Sequence, residues 1–193
     1  MRMRSSKVVV FLLTFFILLS QVFTSSFALA DNKVPFTIFH TNDMHGRLGY
    51  EEYKGKPTSF GSAREKALID KEKKENPNRT VIALDAGDAF QGLPVSNQSK
   101  GQDMAKAMNE IGYKAMAAGN HEFDFGLDTV EKYKNNPQNG GWLNFPILST
   151  NVYKDGKRLF EPSTIINENG VKIGIVGVTT PETATKTNPT GIK

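Results

Sequence analysis

Three short apolar segments, each followed by a loop with glycine and acidic or imidazole side chains, constrain this chain most. The segments begin near Phe36, Val81 and Lys114, and each has the length of a β-strand. Because ligands bind outside the carboxyl ends of the strands in an open α/β sheet, we expect the three following loops to converge. Their polar residues are Asp43 and His45 in the first loop, Asp85 and Asp88 in the second, and Asn120, His121, Glu122 and Asp124 in the third.

Apolar residues recur at helical spacing between these segments, which predicts two amphipathic helices. The first begins at residue 62 and is stopped by Pro77, with Ala63, Ala67 and Leu68 as its apolar positions. The second contains Met104, Met108 and Ile111.

The last third of the chain favours β-structure. Residues 145–153 are predicted as a fourth strand, and the pair Asn169-Gly170 between two apolar runs predicts a hairpin. Strands and helices that alternate early, followed by hairpins, predict an α/β layered domain with a mixed sheet.

The first thirty residues form a segment of a different kind. Basic residues without any acid precede an apolar run at residues 8–19, which is too short to span a bilayer comfortably. The small residues of Ala28-Leu29-Ala30 then supply a typical cleavage site. Residues 1–30 are therefore predicted as a secretory signal peptide and residues 31–193 as the folded part, with an uncleaved membrane anchor as the alternative.

Charge and cysteine content argue against a nucleic-acid-binding protein and against a fold stabilised by disulfides. The chain has 24 basic and 20 acidic residues, and loss of the three basic residues of the leader leaves a net charge of +1. A near-neutral chain without basic runs interleaved with aromatics is not typical of a nucleic-acid-binding protein. With no cysteine, an exported protein cannot use disulfides and depends on its hydrophobic core.

The three loops combine ligand types that suit divalent metals. Asp43, His45 and Asp88 supply carboxylate oxygens and an imidazole for a first ion. Asp88 can bridge to a second ion, to which Asn120 offers an amide oxygen; the alternative for Asn120 is a left-handed turn residue after Gly119. Two divalent ions about 3.5–4 Å apart can clamp a phosphoryl group during in-line attack.

His121 would then face the phosphate and stabilise charge in the transition state or help the leaving oxygen gain its proton. Asp124, three residues further on, is placed to hydrogen-bond the other ring nitrogen and fix its orientation. Structural or surface roles are favoured for His40, Asp85, Glu122, Arg47 and Arg64.

The stretches "FHTNDMHGRL", "LDAGDAFQG" and "GNHEFDFG" resemble the D-x-H, G-D-x-x-x-G and G-N-H-E-x-D blocks of the calcineurin-like metallophosphatases. Within that family the chain is similar to the secreted 5′-nucleotidases, and "LPVSNQSKG" and "STNVYKDGKR" resemble the Gram-positive surface enzymes. The resemblance runs from about Pro35 to Lys193. It implies metal ligands at Asp43, His45, Asp88 and Asn120, catalytic residues at His121 and Asp124, and two divalent ions, zinc or manganese.

Part of the family's site is expected to lie outside this sequence. The family completes its second metal site with later histidines and adds a C-terminal domain whose aromatic residues hold the nucleoside, but no histidine follows His121 here. The chain is therefore expected to be the N-terminal part of a longer enzyme, with an incomplete catalytic domain that has little or no activity alone.

The residues at the strand ends predict a metal-dependent phosphohydrolase, and the predicted signal peptide places it in a secreted or cell-surface location. The resemblance implies that it acts on nucleoside 5′-phosphates. A 2′,3′-cyclic nucleotide phosphodiesterase with 3′-nucleotidase activity is the alternative on the same catalytic domain. A non-catalytic surface module that binds a partner is the alternative from another class, although it has no need of the pair His121 and Asp124. Attachment to a cell wall would require sequence beyond Lys193.

Overall fold

The structure is a computed structural model that describes residues 33–187 and residue 192. The predicted signal peptide and its cleavage site lie outside the described residues. In the part of the chain that the structure describes, no helix combines the length and the apolar character needed to cross a bilayer.

Strands and helices alternate in the first half of the described chain, and strands dominate the second. The strands are β1 (Phe36–Thr41), β2 (Glu51–Tyr53), β3 (Lys56–Ser59), β4 (Thr80–Asp85), β5 (Tyr113–Ala117), β6 (Ile147–Leu148), β7 (Tyr153–Lys154), β8 (Lys157–Arg158), β9 (Ser163–Glu168) and β10 (Val171–Val176). The helices are α1 (Ser62–Glu75), α2 (Pro94–Asn97), α3 (Gln102–Ile111), α4 (Leu127–Lys134) and α5 (Thr183–Lys186), with 3-10 turns at His121–Phe123 and Pro137–Asn139.

A four-stranded parallel sheet with the spatial order β1, β4, β5, β6 organises the fold. Antiparallel pairing occurs in three separate two-stranded sheets, β2 with β3, β7 with β8, and β9 with β10. The α/β class predicted from the sequence is confirmed, and in the described residues the parallel and antiparallel pairings lie in different sheets. All four strands of the parallel sheet therefore present their carboxyl ends along one edge.

All three hairpins of the described residues have the same kind of two-residue turn, in which both residues have positive φ. Asn169 and Gly170, with φ values of 50° and 78°, connect β9 to β10 and confirm the predicted hairpin. Lys54 and Gly55, with φ values of 52° and 73°, connect β2 to β3. Lysine is not a favoured residue for this turn, so the sequence gives little sign of the second hairpin.

The predicted strand over residues 145–153 is wrong in extent, because β6 ends at Leu148. The Oγ atom of Ser149 lies 2.8 Å from Oγ1 of Thr179. The Asn151 side chain bonds the backbone of Thr179 twice, donating to its carbonyl at 2.8 Å and accepting from its N–H at 2.9 Å. These polar contacts redirect the chain before β7 begins.

Helix α3 buries the face that its sequence predicts. Met104 and Met108 are fully buried and Ile111 nearly so, within a core that also includes Phe90 and Tyr133. The two aromatic rings stack with centroids 4.1 Å apart. This core fills the space between α3 and the parallel sheet.

The predicted apolar face of α1 is wrong. Leu68 is 54% exposed, whereas Ile69 is 1% exposed and joins the core. Glu65, one turn before Ile69, also faces inward and hydrogen-bonds to Tyr113. A pattern based on hydrophobicity cannot place an inward-facing glutamate, because it assigns every charged residue to the solvent side.

Candidate metal centre

The loops that follow β1 and β4 are joined by backbone hydrogen bonds that continue beyond the strands. The N–H of Asp43 donates to the carbonyl of Gly87, and the N–H of His45 donates to the carbonyl of Asp88, both at 2.9 Å. Each loop therefore holds the other at a fixed spacing. The side chains of these residues are positioned by the pairing of the parallel strands.

Asp43, His45 and Asp88 lie together at the carboxyl edge of the sheet, with one possible ligand atom from each within 4.8 Å of the others. Nε2 of His45 is 3.7 Å from Oδ1 of Asp43. Nδ1 of the same ring lies 2.8 Å from the carbonyl oxygen of Gln91, so in the neutral ring Nδ1 carries the hydrogen and the lone pair is on Nε2. Two carboxylates and an imidazole with a free nitrogen fit a divalent metal ion.

All three of these residues have backbones in the left-handed region, with φ of 52° at Asp43, 48° at His45 and 59° at Asp88. Residues other than glycine rarely adopt this conformation, and such residues cluster at functional sites. Sequence analysis did not predict this strain. The available signal was residue type, because aspartate and histidine are enriched several-fold among non-glycine residues with positive φ.

The third loop approaches Asp88 closely. A Cβ atom added to Gly119 would lie 2.3 Å from Oδ1 of Asp88, so only glycine fits there. Asn120 follows with φ −76° and ψ −32°, a right-handed conformation that rules out the left-handed turn considered from the sequence. Asn120 is half-buried, and its role as a metal ligand stays a prediction.

His121 connects this loop to Asp88 and to Asp124. Its backbone N–H donates to Oδ1 of Asp88 at 2.8 Å, and Nδ1 of its ring lies 2.6 Å from Oδ2 of Asp124. The ring is 5.2 Å from that of His45, measured between centroids, at 71°. Partial burial alone would lower the pKa of His121, but the hydrogen bond and charge of Asp124 outweigh it, and the pKa is raised above its ordinary value.

Glu122 is buried and holds the second and third loops together. Its carboxylate accepts three backbone N–H bonds, from Asp88 at 2.8 Å, Ala89 at 2.9 Å and Gly119 at 2.7 Å. Burial raises the pKa of Glu122 to about 7. These contacts agree with the structural role expected of Glu122, which does not belong to the group of three candidate ligands.

The remaining residues singled out in the sequence have structural or surface positions. Asp85 is buried at the end of β4 and accepts the N–H of Gly87 at 2.8 Å, as expected of a turn-forming aspartate. His40 is exposed on β1. Arg47 pairs with Glu51 at 3.5 Å, and Arg64 stacks over the ring of Tyr50 at 4.0 Å.

Comparison with known proteins bears on this arrangement. The model of the calcineurin-like phosphoesterase family matches residues 36–187. A 5′-nucleotidase of Vibrio parahaemolyticus is 41% identical over 164 residues, which cover 83% of this chain and 28% of that protein. Protein UshA of Escherichia coli is 36% identical over 196 residues, which cover 98% of this chain and 33% of that protein.

The solved structures include a similar chain, a 5′-nucleotidase precursor from Thermus thermophilus, with a TM-score of 0.67 and 34% identity. The match covers 80% of this chain and 31% of the Thermus chain. This chain therefore spans about a third or less of the length of these relatives. The family match extends over most of the described residues and includes all three loops, so the chain belongs to the calcineurin-like phosphoesterase family.

Proposed function

We propose that this chain supplies the metal-binding and catalytic loops of a hydrolase that releases phosphate from nucleoside 5′-phosphates. The observation that carries the proposal is the convergence of Asp43, His45 and Asp88 with the pair His121 and Asp124. Two of the relatives are named as 5′-nucleotidases, which supports the choice of substrate. The predicted signal peptide supports a place outside the cytoplasm.

The residues at the three strand ends divide into two groups by role. Asp43, His45 and Asp88 would hold one divalent ion, and Asp88 with Asn120 would contribute to a second. When bound, divalent ions polarise phosphoryl oxygens and lower the pKa of an attacking water. The protein's own contribution is to hold these ligands at a spacing fixed by the backbone bonds between the loops.

His121 would act on the phosphate directly. Since Nδ1 contacts Asp124, the other ring nitrogen is available to hydrogen-bond a phosphoryl or leaving-group oxygen. The raised pKa of His121 favours the protonated imidazole, which is the form that can stabilise negative charge or donate a proton. Asp124 fixes the ring and, in turn, accepts a hydrogen bond from the hydroxyl of Thr187.

Phosphate release from AMP by the protein made from its complete coding region, with Mn²⁺ or Zn²⁺ added, tests this function. The His121→Ala variant should lose about 100- to 10,000-fold in kcat. Its metal content should not change, because the bond to Asp88 comes from the backbone N–H. The matched control is His40→Ala at an exposed position of β1, which should keep the parent rate.

An unchanged rate in His121→Ala would exclude the catalytic role of His121, whereas a parent protein that released no phosphate would favour a binding module. Hydrolysis of 2′,3′-cyclic AMP, measured beside AMP, separates the two candidate substrates. Faster turnover of the cyclic nucleotide would replace the 5′-nucleotidase proposal with that of a phosphodiesterase built on the same loops.

A further inference from the structure

Two carboxyl and two hydroxyl groups form a cluster at the base of the ligand loops, outside the chemistry described above. The carboxyl–hydroxyl cluster consists of Asp85, Thr41, Tyr113 and Glu65, from β4, β1, β5 and α1. Oγ1 of Thr41 lies 2.7 Å from Oδ2 of Asp85 and 2.6 Å from the hydroxyl oxygen of Tyr113. That hydroxyl also hydrogen-bonds to Oε1 of Glu65. The four groups thus form one chain of hydrogen bonds, which runs from Asp85 through Thr41 and Tyr113 to Glu65.

The contacts determine how many hydrogen atoms this chain of hydrogen bonds must contain. Its three contacts each require one hydrogen, but Thr41 and Tyr113 supply only one hydroxyl hydrogen each. If Thr41 donates to Asp85 and Tyr113 donates to Glu65, the two hydroxyl oxygens face each other without a hydrogen. A complete chain therefore needs a third hydrogen, which must reside on one of the two carboxyl groups.

The surroundings of the cluster favour such a proton. Burial raises the pKa of Asp85 to about 7, more than its hydrogen bonds lower it, and the negative charges of Glu65 and Asp88 add to the shift. Burial also raises the pKa of Glu65, against the hydrogen bond from Tyr113. The pKa of Tyr113 is raised as well, by burial and by Glu65, so its hydroxyl keeps its hydrogen. Glu65 and Asp88 act on Asp85 from α1 and from the second ligand loop, and Asp85 in turn raises the pKa of the buried Glu122 in the third loop.

The cluster is connected to both ligand loops through the backbone. Oδ1 of Asp85 accepts the N–H of Gly87 at 2.8 Å, and the carbonyl of Gly87 accepts the N–H of Asp43 at 2.9 Å. The carbonyl of Thr41 accepts the N–H of Ala86 at 2.8 Å. We propose that Asp85 and Glu65 share a single proton through Thr41 and Tyr113. We also propose that this chain of hydrogen bonds makes Asp85 a positioning residue for the two loops. The role in positioning ligands rests on the proposed metal centre, whereas the shared proton does not.

Amide substitutions distinguish one shared proton from two independent ones. In Asp85→Asn the amide donates to Thr41, so the chain is complete without a titrating hydrogen. In Glu65→Gln the amide donates to Tyr113, which completes the chain from the other end. The double variant remains complete because one amide can donate while the other accepts.

The sign of the pH dependence follows from the raised carboxyl pKa. The folded chain holds a proton that the unfolded chain releases, so the free energy of unfolding falls as pH rises from the ordinary carboxyl pKa toward about 7. Urea unfolding at a series of pH values gives the number of protons taken up on folding. At about pH 6, each single variant should take up about one proton fewer on folding than the parent does. The double variant should take up no fewer protons than each single variant does.

Two results would overturn the proposal: a proton uptake in the single variants equal to that of the parent, or a loss of two protons in the double variant. The matched control is Glu72→Gln, another inward-facing glutamate of α1, which pairs with Arg79 at 3.2 Å. This control should keep the proton uptake of the parent. Titrating groups that do not act on the cluster contribute equally to every variant and cancel in the comparison. Glu122, whose pKa the charge of Asp85 raises, does not cancel in the variants at Asp85, so Glu65→Gln is the single variant that decides.

Mn²⁺ titration by calorimetry tests the positioning role separately. Asp85→Asn should bind Mn²⁺ within about threefold of the parent, because its amide oxygen still accepts the N–H of Gly87, whereas Asp85→Ala should bind at least about tenfold more weakly. Equal affinities of Asp85→Asn and Asp85→Ala would remove the positioning role. If the parent bound no Mn²⁺, the proposal of a metal centre would be wrong. The proton uptake measured by unfolding would still show whether Asp85 and Glu65 share one proton.

Discussion

Asp43, His45 and Asp88 converge from left-handed backbone conformations that residues other than glycine rarely adopt. Such positions cost on the order of 1–3 kcal/mol each and persist only where neighbouring structure holds them. Here the neighbouring structure consists of the backbone bonds between the loops and the buried carboxylate of Glu122. Any substitution that disturbs these backbone bonds or the contacts of Glu122 should weaken metal binding at the candidate site.

Gly119 is the position where this support has least room. We expect Gly119→Ala to lower the free energy of unfolding by about 1–3 kcal/mol, because its Cβ would lie 2.3 Å from Oδ1 of Asp88 and 2.7 Å from Oε2 of Glu122. The variant should also weaken Mn²⁺ binding, since the clash displaces a candidate ligand. Urea unfolding and calorimetric titration measure the two effects.

Gly174→Ala provides the control, because a Cβ there meets nothing within 4 Å. This substitution lies in β10 and should change neither stability nor Mn²⁺ affinity appreciably. If both alanine variants behaved alike, the close approach of the third loop to Asp88 would have no energetic importance.

Secondary-structure elements could be predicted from the sequence where apolar residues determine them. Strand β4 and helix α3 follow their hydrophobic patterns, and the polar residues at three strand ends indicated where the loops would converge. The sequence failed where polar contacts decide the structure, as in the inward-facing Glu65 of α1 and the bonds of Asn151 that end the predicted fourth strand. Hydrophobic periodicity contains no information about partners distant in sequence.

Helix α3 should contribute to stability without contributing to the metal site. Met108 is fully buried in the core, so Met108→Ala should lower the free energy of unfolding by about 2–5 kcal/mol through lost contacts and a cavity. Glu110→Ala on the exposed side of the same helix should stay within about 0.5 kcal/mol of the parent. A urea midpoint of Met108→Ala equal to that of Glu110→Ala would contradict the assignment of α3 to the core.

The whole molecule should become more stable when a divalent ion binds, because only the folded chain assembles the three candidate ligands. At a concentration one hundred times the dissociation constant, Mn²⁺ should add about 2.7 kcal/mol and raise the thermal midpoint by about 5–10 °C. Asp43→Asn keeps the shape of a candidate ligand but removes its charge, and it should lose most of this gain.

The control for that measurement is Asp70→Asn, an exposed aspartate of α1 that pairs with Lys66 at 3.0 Å. Its thermal midpoint should respond to Mn²⁺ as the parent does. An equal response of the Asp43→Asn variant would place the bound ion elsewhere in the chain.

The backbone bonds between the first two loops also determine when the site can form during folding. The strands that carry these loops pair in parallel across 44 residues, and such distant contacts form slowly because a long loop must close first. A peptide that contained only the first loop, with Asp43 and His45, would lack the second loop. It would also lack the backbone hydrogen bonds that hold these two residues in the left-handed conformation. We therefore expect metal capture at the candidate site to follow chain collapse and not to nucleate it.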